Sequence, residues 1–486
     1  MKKSEILLLF ILFAANSILS QGVKIKPNTC FYIQSGTTAS ISSGNLVLES
    51  DETADASLID KGTLNYGAKG HAVVQRYLTN GHWHLIAAPV SNAIAGLFTG
   101  DYLQMFSEST NGWTDITSVA YELNIMQGYA LWSTAGVATT EIYEGITNTG
   151  DFDFSFTFSD PDNGFNLIGN PYPSQIDWDQ VTIPDHMCGA FWVFDPSLGE
   201  HGGYRHYVKG GGEANTTSQY IPSGQGFFVR AADDAGTLNF GNDIRCHGNQ
   251  EFLKTENEQP MLVLKVKGNG NIMQKAIRFV EGANRDFDRL LDVDLMTGHS
   301  NDLPHLYSII NQHELVVNSL PAFVGDEKVP VSFMAGKDGE YEIFASGLNS
   351  FSDEVQIFLE DIIAGTVTNL RNHPFYAFAY DTSQTYEFVV RFKASAGIEE
   401  SENVIPQWVK IYVAEGQLHV DFAVWYASLR QLGADLLVSD ISGRILFTKK
   451  IHAVNNTYQI PAGCRICLVR IISGDYIMSG KVISHF

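Results

Sequence analysis

The sequence predicts an all-β protein assembled from serial β modules, and three observations carry that prediction. Glycine occupies 44 of 486 positions and aromatic residues 12%, against 17% charged residues, a balance that favours strands joined by turns. Short stretches alternate apolar and polar residues, as in Leu262-Val263-Leu264-Lys265-Val266-Lys267, which is the period of a half-buried strand. One design, an apolar run stopped by proline, occurs twice. It appears as Trp83-His84-Leu85-Ile86-Ala87-Ala88-Pro89 and again as Phe165-Asn166-Leu167-Ile168-Gly169-Asn170-Pro171. Proline lacks an N–H and fixes φ, so each copy reads as a strand leaving a core through a rigid turn.

Residues 1–20 read as a secretory signal. Lys2 and Lys3 supply the charged start, and Ile6 to Ala15 an apolar core too short to span a bilayer. Ser20 is the expected last residue of the signal, with no cysteine at the junction to accept a lipid. No later run approaches about 18 uninterrupted apolar residues, so no transmembrane segment is expected. Residues 21–75 hold short strands between small polar turns, as in Asn45-Leu46-Val47-Leu48-Glu49, and fit a short solenoid-like region.

Residues 76–250 are expected to be a duplicated β unit. Three landmarks recur in order. The proline-exit strand comes first. An aromatic strand follows, Tyr102-Leu103-Gln104-Met105-Phe106 matched by Ala190-Phe191-Trp192-Val193-Phe194. A glycine-bearing strand comes third, Met126-Gln127-Gly128-Tyr129-Ala130-Leu131-Trp132 matched by Gly224-Gln225-Gly226-Phe227-Phe228-Val229. These aromatics are expected to pack in cores. The stretch from Gly199 to Thr217 reads as a long glycine-rich loop, of the kind that is functional or mobile.

Residues 251–393 are expected to form a β-sandwich, with Tyr376, Phe378 and Tyr380 in a hairpin with Phe388, Val390 and Phe392. Residues 394–407 are small and acidic and read as a linker. Residues 408–486 form a separate short-stranded module, a small C-terminal β-sandwich. Its marks are Val438-Ser439-Asp440-Ile441-Ser442-Gly443-Arg444-Ile445-Leu446, then Ala462-Gly463, and Gly480-Lys481-Val482-Ile483 near the end. Those residues resemble the C-terminal sorting domain of the type IX (Por) secretion system of Bacteroidota, with Asp440, Gly443, Arg444, Gly463 and Lys481 as the matching positions. The resemblance implies Sec-dependent passage through the periplasm and delivery by the type IX machinery. The cargo would then be released or linked to surface lipopolysaccharide. Gln75-Arg76-Tyr77-Leu78 with Trp83-His84-Leu85-Ile86, Gly169-Asn170-Pro171-Tyr172-Pro173-Ser174 and Gly224-Gln225-Gly226-Phe227-Phe228 are similar to passages of exported Bacteroidota surface proteins of unassigned function. The Asn-Pro opening of the sorting domain is absent, and Gly463-Cys464-Arg465 replaces its usual Gly-aromatic step.

The formal net charge of −23 argues against nucleic acid, because no basic stripe is available to displace phosphate counterions. Five cysteines do not make a disulfide scaffold. Cys30, Cys188 and Cys246 are isolated in sequence, and Cys464-Arg465-Ile466-Cys467 lies in a strand-like run, where buried small hydrophobes are expected. No Gly-x-Ser-x-Gly elbow occurs. His313-Glu314-Leu315-Val316-Val317 starts like a metalloprotease helix but lacks the second histidine. Asp286, Asp288, Asp292 and Asp294 are closely spaced hard oxygen ligands, which suit Ca²⁺ as a candidate site. Asp160, Asp162 and Asn163 are a second acidic group. His82 and His84, two apart on a strand, are a candidate metal pair.

These readings converge on a secreted or cell-surface-displayed, non-catalytic protein, an adhesin or glycan-binding or structural component. The alternative is a glycan-active hydrolase with carboxylates brought together from different strands.

Overall fold

The computed structural model describes residues 22–160, 163–248, 259–298, 302–394, 409–414, 417–422, 434–440, 444–451, 455–460, 466–473 and 476–483. Strand accounts for 56% of it, and no helix reaches seven residues. The fold is therefore all-β. The chain forms two compact units. One comprises Met1–Pro196, Arg205–Lys209 and Thr217–Phe252; the other comprises Ser197–Tyr204, Gly210–Thr216 and Leu253–Phe486.

The first unit opens with a parallel coil. The strand Val23–Ile25 pairs in parallel with Thr38–Leu48, which pairs in parallel with Thr63–Leu78. On the opposing wall Cys30–Ile33 pairs in parallel with Ser57–Asp60. Phe31, Ile33, Ile41, Leu46, Leu48 and Leu58 meet between the walls. Parallel strands need a full crossover between them, and here each wall is the crossover of the other. The expected boundary at residue 75 falls inside the strand Thr63–Leu78, whose second half pairs antiparallel with Thr139–Gly145. Coil and duplicated unit thus share one continuous strand.

The duplication is visible as topology. One sheet runs in the spatial order Trp83–Ile86, Tyr129–Trp132, Tyr102–Ser107, Gly112–Asp115; the other runs Phe165–Gly169, Gly226–Ala231, Met187–Asp195, Gly203–Val208. In both, the proline-exit strand is at the edge, the glycine-bearing strand is next and the aromatic strand third. The proline turn of the second copy is held by buried amides. Asn170 donates through Nδ2 to the carbonyls of Ser174, Ile221 and Pro222. Asn148 donates to those of Ala88 and Pro171 and so holds both proline exits at once. The stretch 199–217, expected to be a loop, instead contains the strand Gly203–Val208, with His206, Tyr207 and Val208 buried. Its alternation is too brief to separate from a loop by pattern.

In the second unit the strands between Met261 and Ala394 join into a single 11-stranded sheet that nearly closes on itself. The expected hairpin of Phe375–Tyr380 with Tyr386–Ala394 does not form. Phe375–Tyr380 pairs with Gly339–Ser346, while Tyr386–Ala394 lies between Asp326–Met334 and Val355–Asp361. The two strands meet through side chains across the core, where Phe378 and Phe388 lie 5.1 Å apart edge to face. Alternation identifies which side chains face inward; it does not identify the ladder partner. The ends of the sheet meet through side chains too: the Tyr376 hydroxyl lies 3.0 Å from Thr366 Oγ1 and donates to Asp361 Oδ2 at 2.7 Å.

The C-terminal strands form two sheets, Val409–Ala414, Gln417–Phe422, Asn455–Gln459 and Ile445–Ile451, Ala434–Asp440, Ile466–Ser473, Tyr476–Ile483. Ile411, Leu418, Val420, Leu436, Val438 and Val469 form their common core, a small two-sheet module.

Candidate functional site

In an antiparallel sheet, directly opposed residues project from the same face. Trp83 opposes Trp132, and Trp132 opposes Tyr102. Three aromatic side chains therefore form one row across three neighbouring strands. Alternation explains the row. Ile86, Leu103, Tyr129 and Leu131 point into the core of the unit, which sends Trp83, Trp132 and Tyr102 to the other face. Tyr102 is 62% exposed, Trp83 and Trp132 are half-buried, and their rings stand edge to face with centroids 5.7 Å apart.

The next row on that face carries Ala130, Gln104 and Asp115. Gln104 Nε2 donates to Asp115 Oδ1 at 2.8 Å, so an amide and a carboxylate, already oriented, lie beside the aromatic row. One row further, Phe106 and Trp113 oppose each other and pack edge to face on Phe228. The face thus runs from half-buried Phe106 and Trp113, seated on the buried Phe228, to the exposed Tyr102. The second copy differs at the rim. Phe165 opposes Arg230 there, with the guanidinium 5.3 Å from the ring centroid. The positions matching Trp83 and Trp132 thus hold a closed cation–π pair. The expectation that all these aromatics are core is corrected for Tyr102, Trp83 and Trp132. Their outward parity was readable in Tyr129-Ala130-Leu131-Trp132 once Tyr129 and Leu131 were placed inside.

Of the acidic candidates, Asp288 and Asp292 lie together, while Asp286 and Asp294 have partners of their own. Asp292 accepts the Ser319 N–H at 2.6 Å through Oδ1 and the Asp288 N–H at 2.8 Å through Oδ2. Asp294 is 2.8 Å from His313 Nδ1, and Asp286 accepts from Asn311. Asp288 accepts from the Leu290 N–H at 3.1 Å. Among the described residues no group of three or more His, Cys, Asp or Glu is arranged to hold a metal ion. These carboxylates are engaged by backbone N–H groups, the Asn311 amide and a histidine. His84 Nε2 lies 2.9 Å from the Thr79 carbonyl, and burial pushes its pKa down. His82 precedes the strand, and its charge adds to the lowering at His84. Of the second acidic group, Asp162 lies outside the described residues; Asn163 donates to Asp160 within the turn. Glu108, which sequence reasoning missed, accepts the N–H groups of Ser159 and Gly164 through Oε1. Those hydrogen bonds hold its carboxyl below the usual range against the effect of burial.

In the sorting-type motif, Arg444 donates from its backbone N–H to Asp440 Oδ1 and from Nε to Oδ2, while the Asp440 N–H donates to the Arg444 carbonyl. These bonds tie the end of the strand Ala434–Asp440 to the start of Ile445–Ile451. Lys481 lies in the strand Tyr476–Ile483, opposite Leu468. Gly443 and Gly463 lie outside the described residues. Cys467, expected as a small hydrophobe, is buried and disulfide-bonded.

Residues 199–394 match a family model described as a domain of unknown function, DUF8693. No curated protein matches the chain.

Proposed function

We propose that the protein is a secreted or cell-surface-displayed, non-catalytic binding protein that takes an extracellular glycan on the face bearing Trp83, Trp132 and Tyr102. The observation that carries this reading is the in-register row of three aromatics beside the Gln104–Asp115 pair. The apolar faces of pyranose rings stack on flat aromatic side chains, and ring hydroxyls bond to a carboxylate or amide held at the edge of such a platform. Tryptophan and tyrosine offer this area at low conformational cost. Export by the type IX machinery belongs to the same proposal. The residues around Asp440 and Arg444 support it, as does the independent two-sheet core of the last module. A disulfide at Cys467 fits an oxidising compartment.

Binding is tested with the intact protein on a panel of bacterial and host polysaccharides, followed by titration calorimetry on any hit. Tyr102→Ala and Trp132→Ala are expected to weaken binding roughly tenfold or more with an unchanged unfolding midpoint for Tyr102→Ala. Silence across the panel, or full affinity in both variants, overturns the reading. Export is tested by fractionating cells that express the full chain or a chain lacking residues 408–486. Equal surface delivery of both would remove the sorting role.

A further inference from the structure

Cys30 and Cys246 are 216 residues apart in sequence, yet the fold brings them to one patch of the first unit. Cys30 and Ser57 are register partners on neighbouring parallel strands. Because Phe31 and Leu58 point into the core, Cys30 and Ser57 project together from the outer face. His247 covers that face: its Nδ1 lies 2.9 Å from Ser57 Oγ. The preceding Arg245 donates to the Leu58 carbonyl at 2.6 Å and reaches Asp60. Cys246 sits between these two anchors. Both thiols are free and partly exposed, whereas Cys188 is buried.

We propose that Cys30 and Cys246 form a redox pair that closes to a disulfide, tying the first coil of the unit to its last strand. The inference is independent of the glycan reading. The oxidant is a disulfide, either a small molecule such as oxidised glutathione or a protein. The thiolate of one cysteine attacks an oxidant sulfur; the oxidant S–S bond breaks and its leaving sulfur takes up a proton. The thiolate of the second cysteine then attacks the first cysteine's sulfur and expels the other oxidant thiol. Two protein thiols are oxidised to one disulfide while one oxidant disulfide is reduced to two thiols. Burial raises the Cys30 thiol to about 11 and the Cys246 thiol to about 12, and each raised value keeps the thiolate scarce at neutral pH. Closure in the folded protein is therefore slow at pH 7 and accelerates with pH. The neighbouring thiol contributes to the upward shift at Cys246, as expected of groups that sense one another's charge.

The test uses the full chain, reduced and returned to native buffer, then exposed to oxidised glutathione at pH 7 and pH 9. Free thiols are alkylated and the protein is digested without reduction. The expected product is one peptide pair linking Cys30 to Cys246. It should form faster at pH 9, be retained in Cys188→Ser and be lost in Cys30→Ser and Cys246→Ser. Recovery of both cysteines only as alkylated or glutathione-bearing peptides overturns the proposal. So does a link from either of them to Cys188. Cys30→Ser and Cys246→Ser are also alkylated in native buffer and in urea, so that a fold lost in either variant is recognised by its exposed Cys188.

Discussion

Gln127 and Gln225 make the same contacts in opposite directions. Gln127 Nε2 donates to the carbonyl of Leu167 at 2.9 Å and to that of its neighbour Gly128 at 3.1 Å. Gln225 Nε2 donates to the carbonyl of Leu85 at 2.9 Å and to that of its neighbour Gly226 at 2.8 Å. Leu85 and Leu167 hold matching places in the two copies. Each copy thus places its glutamine on the other copy's proline-exit strand, and isolated bridges Ile86–Gln225 and Gln127–Ile168 continue the exchange. The internal repeat is a reciprocal clasp, related by an approximate two-fold axis.

Gln127→Ala and Gln225→Ala should therefore lower stability by similar amounts, about 1–3 kcal/mol each, because each strips a donor from partly buried carbonyls. Urea unfolding of the intact protein, followed by tryptophan fluorescence, measures this. A cost confined to one of the two variants would contradict the reciprocity.

Gly169 lies where the two copies meet. A β-carbon there would stand 2.1 Å from Ala87 Cβ, and Ala87 is the matching residue of the other copy. Gly169→Ala is expected to force the edge strands apart and cost about 1–3 kcal/mol or more. Gly81→Ala is the contrasting case: its β-carbon would meet nothing, although its φ of +76° is unfavourable for alanine. A smaller loss is expected there, read from thermal unfolding midpoints.

Arg245 and Asp60 are an almost wholly buried ion pair, with side chains 1% and 4% exposed and Nη1 2.5 Å from Oδ1. Arg245 also bonds the Leu58 carbonyl and Asn242 and lies 5.0 Å from the centroid of the Tyr172 ring. Removing one partner strands the other charge. Asp60→Ala should cost about 3–5 kcal/mol. Asp60→Ala combined with Arg245→Met should recover some of that loss, as a double-mutant cycle would show.

Two buried bases make stability depend on pH in separate windows. Burial lowers His305 to about 4, below its ordinary 6.5. The fold therefore favours its neutral form. That contribution is complete above about 6.5 and is lost as pH falls toward 4. Burial likewise lowers Lys275 to about 7, with Asp292 partly opposing. The unfolded chain then binds the extra proton between about 7 and 10.5, so stability should rise with pH across that range. Lys275→Met should flatten the upper limb and His305→Gln the lower one, as measured by unfolding midpoints from pH 4 to 10.

The sequence made the all-β class legible because alternation and turn residues are local signals. The repeat was legible because proline, glutamine and glycine recur at fixed places within each copy. Partners in space were harder to see. Tyr386-Glu387-Phe388-Val389-Val390 announces an inward face and says nothing of the two strands that flank it. The four aspartates near 286–294 are close in sequence, but spacing does not show the N–H, amide and imidazole partners that each one meets. Tyr102 and Trp132 read as core because aromatics in strands usually are; only the placement of Tyr129 and Leu131 assigns their parity. Cys30 and Cys246, far apart in sequence, are brought to one patch by contacts that no local pattern announces.

The 11-stranded sheet of the second unit nearly closes, and its end strands meet only through the side chains of Thr366, Tyr376 and Asp361. Under mechanical load that seam is the weakest line around the circumference, since side-chain contacts yield singly while a ladder resists as a block. Opening it would bare two unpaired strands, each able to recruit a foreign chain.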